Sequence, residues 1–293
     1  MPALLRRESL LRDGVSASTV ARRIASGRWI SLAKGIYVER DAWQAATDGQ
    51  RHLARARALA WTHRAAIASW SAAVAWDLPI VGPAPDAVHL IRGHGRVRSG
   101  DPVVRVAPLR RTELRASEGW RITSPARTFA DLAREATLAQ AVVLGDAILR
   151  RRIATVHELA EAVTRQAAWP GQRAAATALT LVDPRADSPL ESLGRLGLVD
   201  AGLSVKPQHR VRVSGSTYYI DLLVNGRLAV EGDGALKYGP DRPPQTLYDE
   251  KIRQERIELS GLPVLRYAWP EVWPTPEPLV RRVLARLAQL DAA

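Results

Sequence analysis

The sequence predicts a multidomain α+β and α/β protein, and three observations carry that expectation. Helical periodicity at Leu10, Leu11, Val20 and Ile24 gives way at once to two short apolar strands, Gly27 to Ile30 and Gly35 to Val38. Strand patterns and helix starts then share residues 61–185. Beyond residue 186 the order becomes helix, three strands, helix, strand, built around one hairpin in YYIDLLVNGRLAVEGDGALK, Tyr218 to Lys237. At 293 residues, 46% hydrophobic and 25% charged, each part has the apolar content to bury a core. Asp183-Pro184-Arg185 before a capped helix marks the later boundary, so the expected domains are 1–60, 61–185 and 186–293.

The first domain reads as a winged helix-turn-helix. Leu4, Leu5, Leu10 and Leu11 make an amphipathic first helix that ends near Asp13-Gly14. Ser16 caps a second helix from Ala17 to Ala25, with Val20 and Ile24 inward and Ser18, Thr19, Arg22 and Arg23 outward. The two strands flank the Leu32-Ala33-Lys34 turn as the wing. A helix with Ser, Thr and Arg on its free face has the form that enters a major groove. Ser18, Thr19, Arg22, Arg23, Arg28 and Lys34 are therefore the candidate contacts to duplex DNA, and a solvated basic face that meets protein instead is the alternative use of the same residues.

The middle domain mixes sheet and helix. Strands are expected at Val88 to Ile91, Val103 to Val106 and Trp120 to Ile122. Ser124 then caps and Pro125 opens a helix near 125–135, followed by helices near 138–151 and 156–167. The loop GHGRVRSG, Gly93 to Gly100, has glycines and cations, but no lysine-serine pair follows, so it reads as a flexible basic loop. Arg150-Arg151-Arg152 at a helix end complements the macrodipole without any ligand. Trp169-Pro170-Gly171 closes a helical segment.

In the last domain the helix in SPLESLGRLGLVDAGL opens with Ser188, Pro189 and Glu191, the pattern of a capping box with proline at the first helical position. Arg195 lies four residues past Glu191, the spacing of a helical ion pair. In the hairpin, Ile220, Leu222 and Val224 alternate with Asp221 and Leu223, and Leu228 and Val230 follow the Asn225-Gly226 turn. A two-residue loop would pair Val224 with Arg227 and mix apolar with charged side chains on both faces. One residue of shift pairs Val224 with Leu228 and Leu222 with Val230, and sets Asp221 across from Glu231, with Asp233 two residues on. The core selects the second register, with Gly226 at positive φ. Facing carboxylates repel unless a cation sits between them, and Mg²⁺, which takes hard oxygen ligands, is the simplest one. After the hairpin, Gln245 to Ser260 is an amphipathic helix closed by Gly261, Val264 to Tyr267 a buried strand, and Pro276 to Leu290 a last helix.

Asp221 in YYIDLLV, the EGDG block Glu231 to Gly234, Lys237-Tyr238, DEKIRQE from Asp249 to Glu255 and GLPVLRYAW from Gly261 to Trp269 together resemble the PD-(D/E)XK nuclease superfamily, and more closely a branch related to very-short-patch-repair endonucleases. The resemblance covers roughly residues 186–275. It implies a restriction-endonuclease-like αβββαβ core in which Asp221 and Glu231 hold Mg²⁺ or Mn²⁺, with Glu191 as a further helix carboxylate. The superfamily places a water-polarising lysine two residues after the second acid. Here that position is Asp233, which leaves the role open between Lys237 and Lys251. Lysine is otherwise found only at Lys34 and Lys206, so two of the four fall in the motif region.

The front of the chain resembles the N-terminal region of AbiEi-type antitoxins in VSASTVARRIASGRWISLAKGIYV, in SWSAAVAWDLP and in RITSPARTFADLA, over roughly residues 1–160. That likeness implies an autorepressing regulator that opposes a nucleotidyltransferase-type toxin, so a cognate toxin or self-association joins duplex DNA among the expected partners.

Charge agrees with a polyanion partner. Net charge is +12, and the excess lies forward: residues 1–60 hold 11 basic and 5 acidic side chains, 61–185 hold 17 and 11, and 186–270 hold 11 of each. Zero cysteines exclude disulfides and thiol catalysis, and the six histidines form no metal-type helix pair. No apolar run reaches the ~18 residues of a membrane span, and MPALLRRESLLRDG lacks a signal-peptide core, so a cytoplasmic protein without membrane contact is expected. Two functions follow: a metal-dependent DNA endonuclease in defence or repair, or a non-catalytic DNA-binding regulator and antitoxin whose C-terminal fold only binds.

Overall fold

The computed structural model describes residues 1–83, 86–117, 119–213, 215–233 and 252–292. It is a mixed α/β fold with three sheets, in two compact units: Met1–Ala136 with Ala154–Ala175, and Thr137–Ile153 with Ala176–Ala293. Among the described residues no helix is long and apolar enough to cross a membrane.

The N-terminal unit begins with β1 (Leu5–Arg6), α1 (Arg7–Arg12), α2 (Ala17–Ala25), β2 (Trp29–Ala33) and β3 (Ile36–Glu39). The first helix starts at Arg7, later than its leucines suggest. Leu5 and Arg6 instead pair with Tyr37 and Ile36 as an edge strand, which satisfies their backbone and packs Leu5 against Val20, Trp29 and Tyr37. α2 has the expected bounds because the Ser16 hydroxyl accepts the Thr19 N–H at 3.2 Å. The second sheet has the order β6-β5-β4-β8-β7, with β4 at Ala66–Ile67, β5 at His89–Arg92, β6 at Val103–Val106, β7 at Leu114–Ser117 and β8 at Trp120–Thr123. α3 (Arg40–Gln44) leads to α4 (Asp48–His63), opened by a Thr47–Gln50 capping box. Alanines make α4 thin enough to lie close on this sheet: Ala56 and Ala60, one turn apart, pack with Ile67, Leu90, Val104 and Ile122. α5 (Ser69–Ala75) and α6 (Pro125–Ala133) follow β4 and β8. The chain leaves this unit for α7 (Leu138–Arg150) and returns with α8 (Val156–Arg165). Arg127 of α6 is buried between Glu113 at 3.2 Å and Asp131 at 2.9 Å, and Gln166 donates to Asp131 at 2.8 Å, so two carboxylates balance one interior guanidinium and an amide steadies one of them.

The C-terminal unit holds α7, α10 (Pro189–Asp200), β9 (Val205–Val213), β10 (Ser216–Val224), β11 (Leu228–Gly232), α11 (residues 252–258), β12 (Val264–Tyr267) and α12 (Glu277–Ala292); α9 (Gln172–Leu181) runs into it from the first unit. The sheet order is β12-β11-β10-β9, with β11 and β12 parallel and the other pairs antiparallel. The hairpin pairs Leu222 with Val230 and Val224 with Leu228, as the burial of Leu222, Val224, Leu228 and Val230 demands. Asn225 and Gly226 both take positive φ in a loop closed by the Arg227 N–H on the Val224 carbonyl. One expected pair is replaced: Arg195 bonds at 2.8 Å not to Glu191 but to Asp146 of α7, and both members are buried. The reason is local. The Glu191 oxygens are committed to N–H and O–H donors at the start of α10 and to the Gln208 amide of β9.

Candidate active site and nucleic-acid surface

The β10–β11 ladder runs from Val224–Leu228 to Leu222–Val230, and the next residue on each strand, Asp221 and Glu231, meets its neighbour through side chains. Their side chains replace the ladder at this level. The Asp221 N–H donates to Glu231 Oε1 at 3.1 Å, and the Gly232 N–H donates to Asp221 Oδ2 at 2.9 Å. Glu231 is buried and Asp221 half-buried. Burial first, and then the Glu231 carboxylate, push the Asp221 carboxyl up to about 6.

Glu191 completes the trio from α10. It is buried, and its carboxylate accepts the Asp187 N–H at 2.9 Å, the Ser188 hydroxyl at 2.9 Å and the Gln208 amide at 3.0 Å. Burial and then Asp221 raise its pKa. The capping role and proximity to Asp221 therefore coexist in one side chain. Gln208 lies across from Asp221 in the β9–β10 register and has φ of +49°, a left-handed conformation rare for this residue type. The twist aims its amide at Glu191. Behind the trio, buried Tyr267 of β12 donates its hydroxyl to the Leu190 carbonyl at 3.1 Å, and burial followed by Asp221, Glu191 and Glu231 raises its pKa well above the ordinary value. Gly194 allows this approach, because a methyl there would overlap the Tyr267 phenol.

One cation reaches the trio among the described residues. Arg253 of α11 gives one arm of its guanidinium to Glu231 Oε2 and the other to the Tyr219 carbonyl. Composition could have flagged it only weakly, since Arg253 is one of many arginines on an amphipathic helix. Asp233, half-buried at the end of β11, lies 3.9 Å from the Arg266 guanidinium. Lys237 and Lys251 lie outside the described residues.

Three carboxylates against one guanidinium leave two negative charges, the complement of one divalent cation, and their oxygens are the hard donors that Mg²⁺ or Mn²⁺ takes. As they stand, no group of three or more acids or histidines among the described residues is arranged to ligate an ion. The hydrogen bonds say why: Glu191 and Glu231 turn their oxygens to protein donors. An ion would compete with Arg253 for Glu231 and would take the free oxygen of Asp221.

In the N-terminal unit, Ser18, Arg22, Arg28 and Lys34 are exposed, whereas Thr19 and Arg23 are half-buried. Thr19 accepts the Ser16 hydroxyl at 2.9 Å, and the Arg23 guanidinium stacks 4.7 Å from the Trp29 ring centroid, which holds it at the junction of α2 and β2. Four of the six residues thus lie on α2, Arg28 lies in the α2–β2 connection and Lys34 in the β2–β3 turn, with Arg22, Arg28 and Lys34 presenting open charge.

No protein-family model matches this chain, and no curated protein does.

Proposed function

We propose that the chain is a metal-dependent DNA endonuclease in a defence or repair setting, with the acids of the C-terminal unit as its active site and α2 and the β2–β3 turn as its contact with duplex DNA. The observation that carries this reading is the convergence of buried Glu191 and Glu231 with half-buried Asp221, a costly arrangement for a site that does nothing with its charge. In this reading the C-terminal unit is a restriction-endonuclease-like core and the first elements are a winged helix-turn-helix.

Asp221 and Glu231 would hold Mg²⁺ or Mn²⁺, with Glu191 as the third carboxylate. A bound divalent ion supplies Lewis acidity and a water of lowered pKa. The protein supplies the rest. The Gly232 N–H orients Asp221, the Asp221 N–H orients Glu231, and the Gln208 and Ser188 side chains fix Glu191, so the carboxylates are held by protein donors rather than by solvent. Arg253, 41% exposed on its side chain, keeps an outward edge from which to meet a phosphate oxygen. Asp233 cannot polarise water as a cation, so that role goes to Lys237, six residues past Glu231, with Lys251 as its competitor.

The Arg253–Glu231 pair also favours a second reading. It neutralises one carboxylate with no metal, as a DNA-binding regulator or antitoxin with a non-catalytic C-terminal fold would need. Supercoiled plasmid incubated with the purified chain and Mg²⁺ or Mn²⁺, with and without chelator, separates the two. Chelator-sensitive nicking or linearisation supports the nuclease; intact plasmid under conditions where the protein is bound to it supports the regulator.

A further inference from the structure

The five-stranded sheet of the N-terminal unit has two unlike faces. One packs Ile67, Leu90, Val104 and Ile122 under the alanines of α4. On the other, Ile91, Ala66 and Arg121 stand side by side across β5, β4 and β8, and Ala66 and Ile91 pack with Ala68, Ala107, Leu109 and Leu114. A cavity of about 670 Å³ opens on this face. Ala66, Ile91, Leu109 and Leu114 form its apolar floor, and His63, Arg64, Arg92, His94 and Arg121 line its walls.

Among the described residues no carboxylate lines the cavity, and none pairs with Arg64, Arg92 or Arg121. Arg92 donates one arm to the Arg96 carbonyl at 2.9 Å, while its buried Nε has no partner. Among the described residues Arg121 reaches the Arg64 carbonyl, at 3.5 Å. This differs from how the same unit treats Arg127, which it surrounds with two acids. The local field is positive enough to help hold His63 below the ordinary imidazole range: burial is the larger cause, and Arg98 and Arg92 add to it. Guanidiniums left unpaired around one hollow suit an oxyanion, which they can grip through two parallel N–H bonds. The volume matches a single small unit rather than a protein surface, within the ~300–1,000 Å³ of ordinary ligand pockets.

We propose that this cavity is a nucleic-acid site separate from α2, taking one unpaired nucleotide of a strand: Arg64, Arg92 and Arg121 hold its flanking phosphates, and its base lies on the Ala66, Ile91, Leu109 and Leu114 floor. The site does not depend on whether the C-terminal unit cleaves. An apolar floor ringed by guanidiniums reads an unstacked base and its backbone, which a duplex keeps covered.

The test uses the full chain and a labelled single-stranded 12-mer, followed by anisotropy across a salt series. Arg92→Gln with Arg121→Gln should weaken binding about tenfold and lower the salt slope by roughly 1.4, two phosphate contacts at ~0.7 each on a single strand. Arg22→Ala with Arg23→Ala should leave that single-strand slope unchanged. Unaltered affinity and slope in the Arg92 and Arg121 variant overturn the site. So does equal competition by pyrophosphate or a polyglutamate peptide, since then no nucleotide is being read. Photo-cross-linking of the unsubstituted protein to a 5-iodouracil oligomer needs no variant to fold: adducts within residues 89–94 or 109–121 support the site, and adducts confined to residues 16–34 overturn it.

Discussion

At the residue scale, Asp221 sets the clearest expectation. Its folded-state pKa of about 6 is above the ordinary aspartate value, so its protonated form is favoured by folding. The stabilisation is fully present below the unfolded pKa near 3.8 and is lost as pH rises through about 6. Metal-free Asp221→Asn should therefore melt higher than the unsubstituted chain at pH 7.5, with an upper bound of about 3 kcal/mol, and the gap should close by about pH 4. Thermal melts across that range check it, and a gap of the same size at both ends would contradict it. Arg253 gives the converse. Arg253→Gln strips a buried Glu231 of its partner and should cost about 1–2 kcal/mol without metal. Because the guanidinium competes with an ion for Glu231, Mn²⁺ should then raise the melting temperature of Arg253→Gln more than that of the unsubstituted protein. Equal rises would remove Arg253 from the site. Neither role of Arg253 can be seen in sequence, since the contact joins side chains 22 residues apart through tertiary packing.

At the scale of elements, much was legible because the information was local. The Ser16 cap with Val20 and Ile24 defines α2, and the apolar alternation admits only one hairpin register, which the strands adopt. Where distant partners decide, sequence falls short. The first helix loses Leu5 to an edge strand because β3 offers backbone groups to pair with, and Arg195 finds Asp146, 49 residues away, in place of the near glutamate. The left-handed Gln208 carries no sequence signal, as nothing in KPQHR announces it. Two glycines carry element-level predictions. Gly226→Val should destabilise the hairpin by about 1 kcal/mol or more, because φ of +71° strains a β-branched residue. Gly194→Ala should be worse, since its methyl must displace the buried Tyr267 and with it the seat of α10 that carries Glu191. Denaturant midpoints rank the two; a harmless Gly194→Ala would show that the α10 contact yields. On α2, Arg22→Ala with Arg23→Ala should flatten the salt dependence of duplex binding by roughly 0.9 per lost phosphate contact. An unchanged slope would turn that face over to protein partners.

Over the whole molecule, the basic excess is concentrated in the front of the chain. The front 185 residues hold 28 basic against 16 acidic side chains, and Glu191, Asp221 and Glu231 lie behind them in a segment of balanced charge. Two compact units match that division in outline, although the helix-bearing stretch Thr137–Ile153 packs with the C-terminal unit, which its position in the chain does not suggest. Its buried Asp146 explains the exchange, because it needs Arg195. On the proposed reading, Asp221 and Glu231 serve chemistry rather than architecture. Plasmid cleavage in Mg²⁺ by Asp221→Asn and by Glu231→Gln, measured beside duplex binding on the same preparations, tests it most directly. Cleavage should be abolished while binding and fold persist; cleavage at the unsubstituted rate in either variant would leave these acids a purely architectural role.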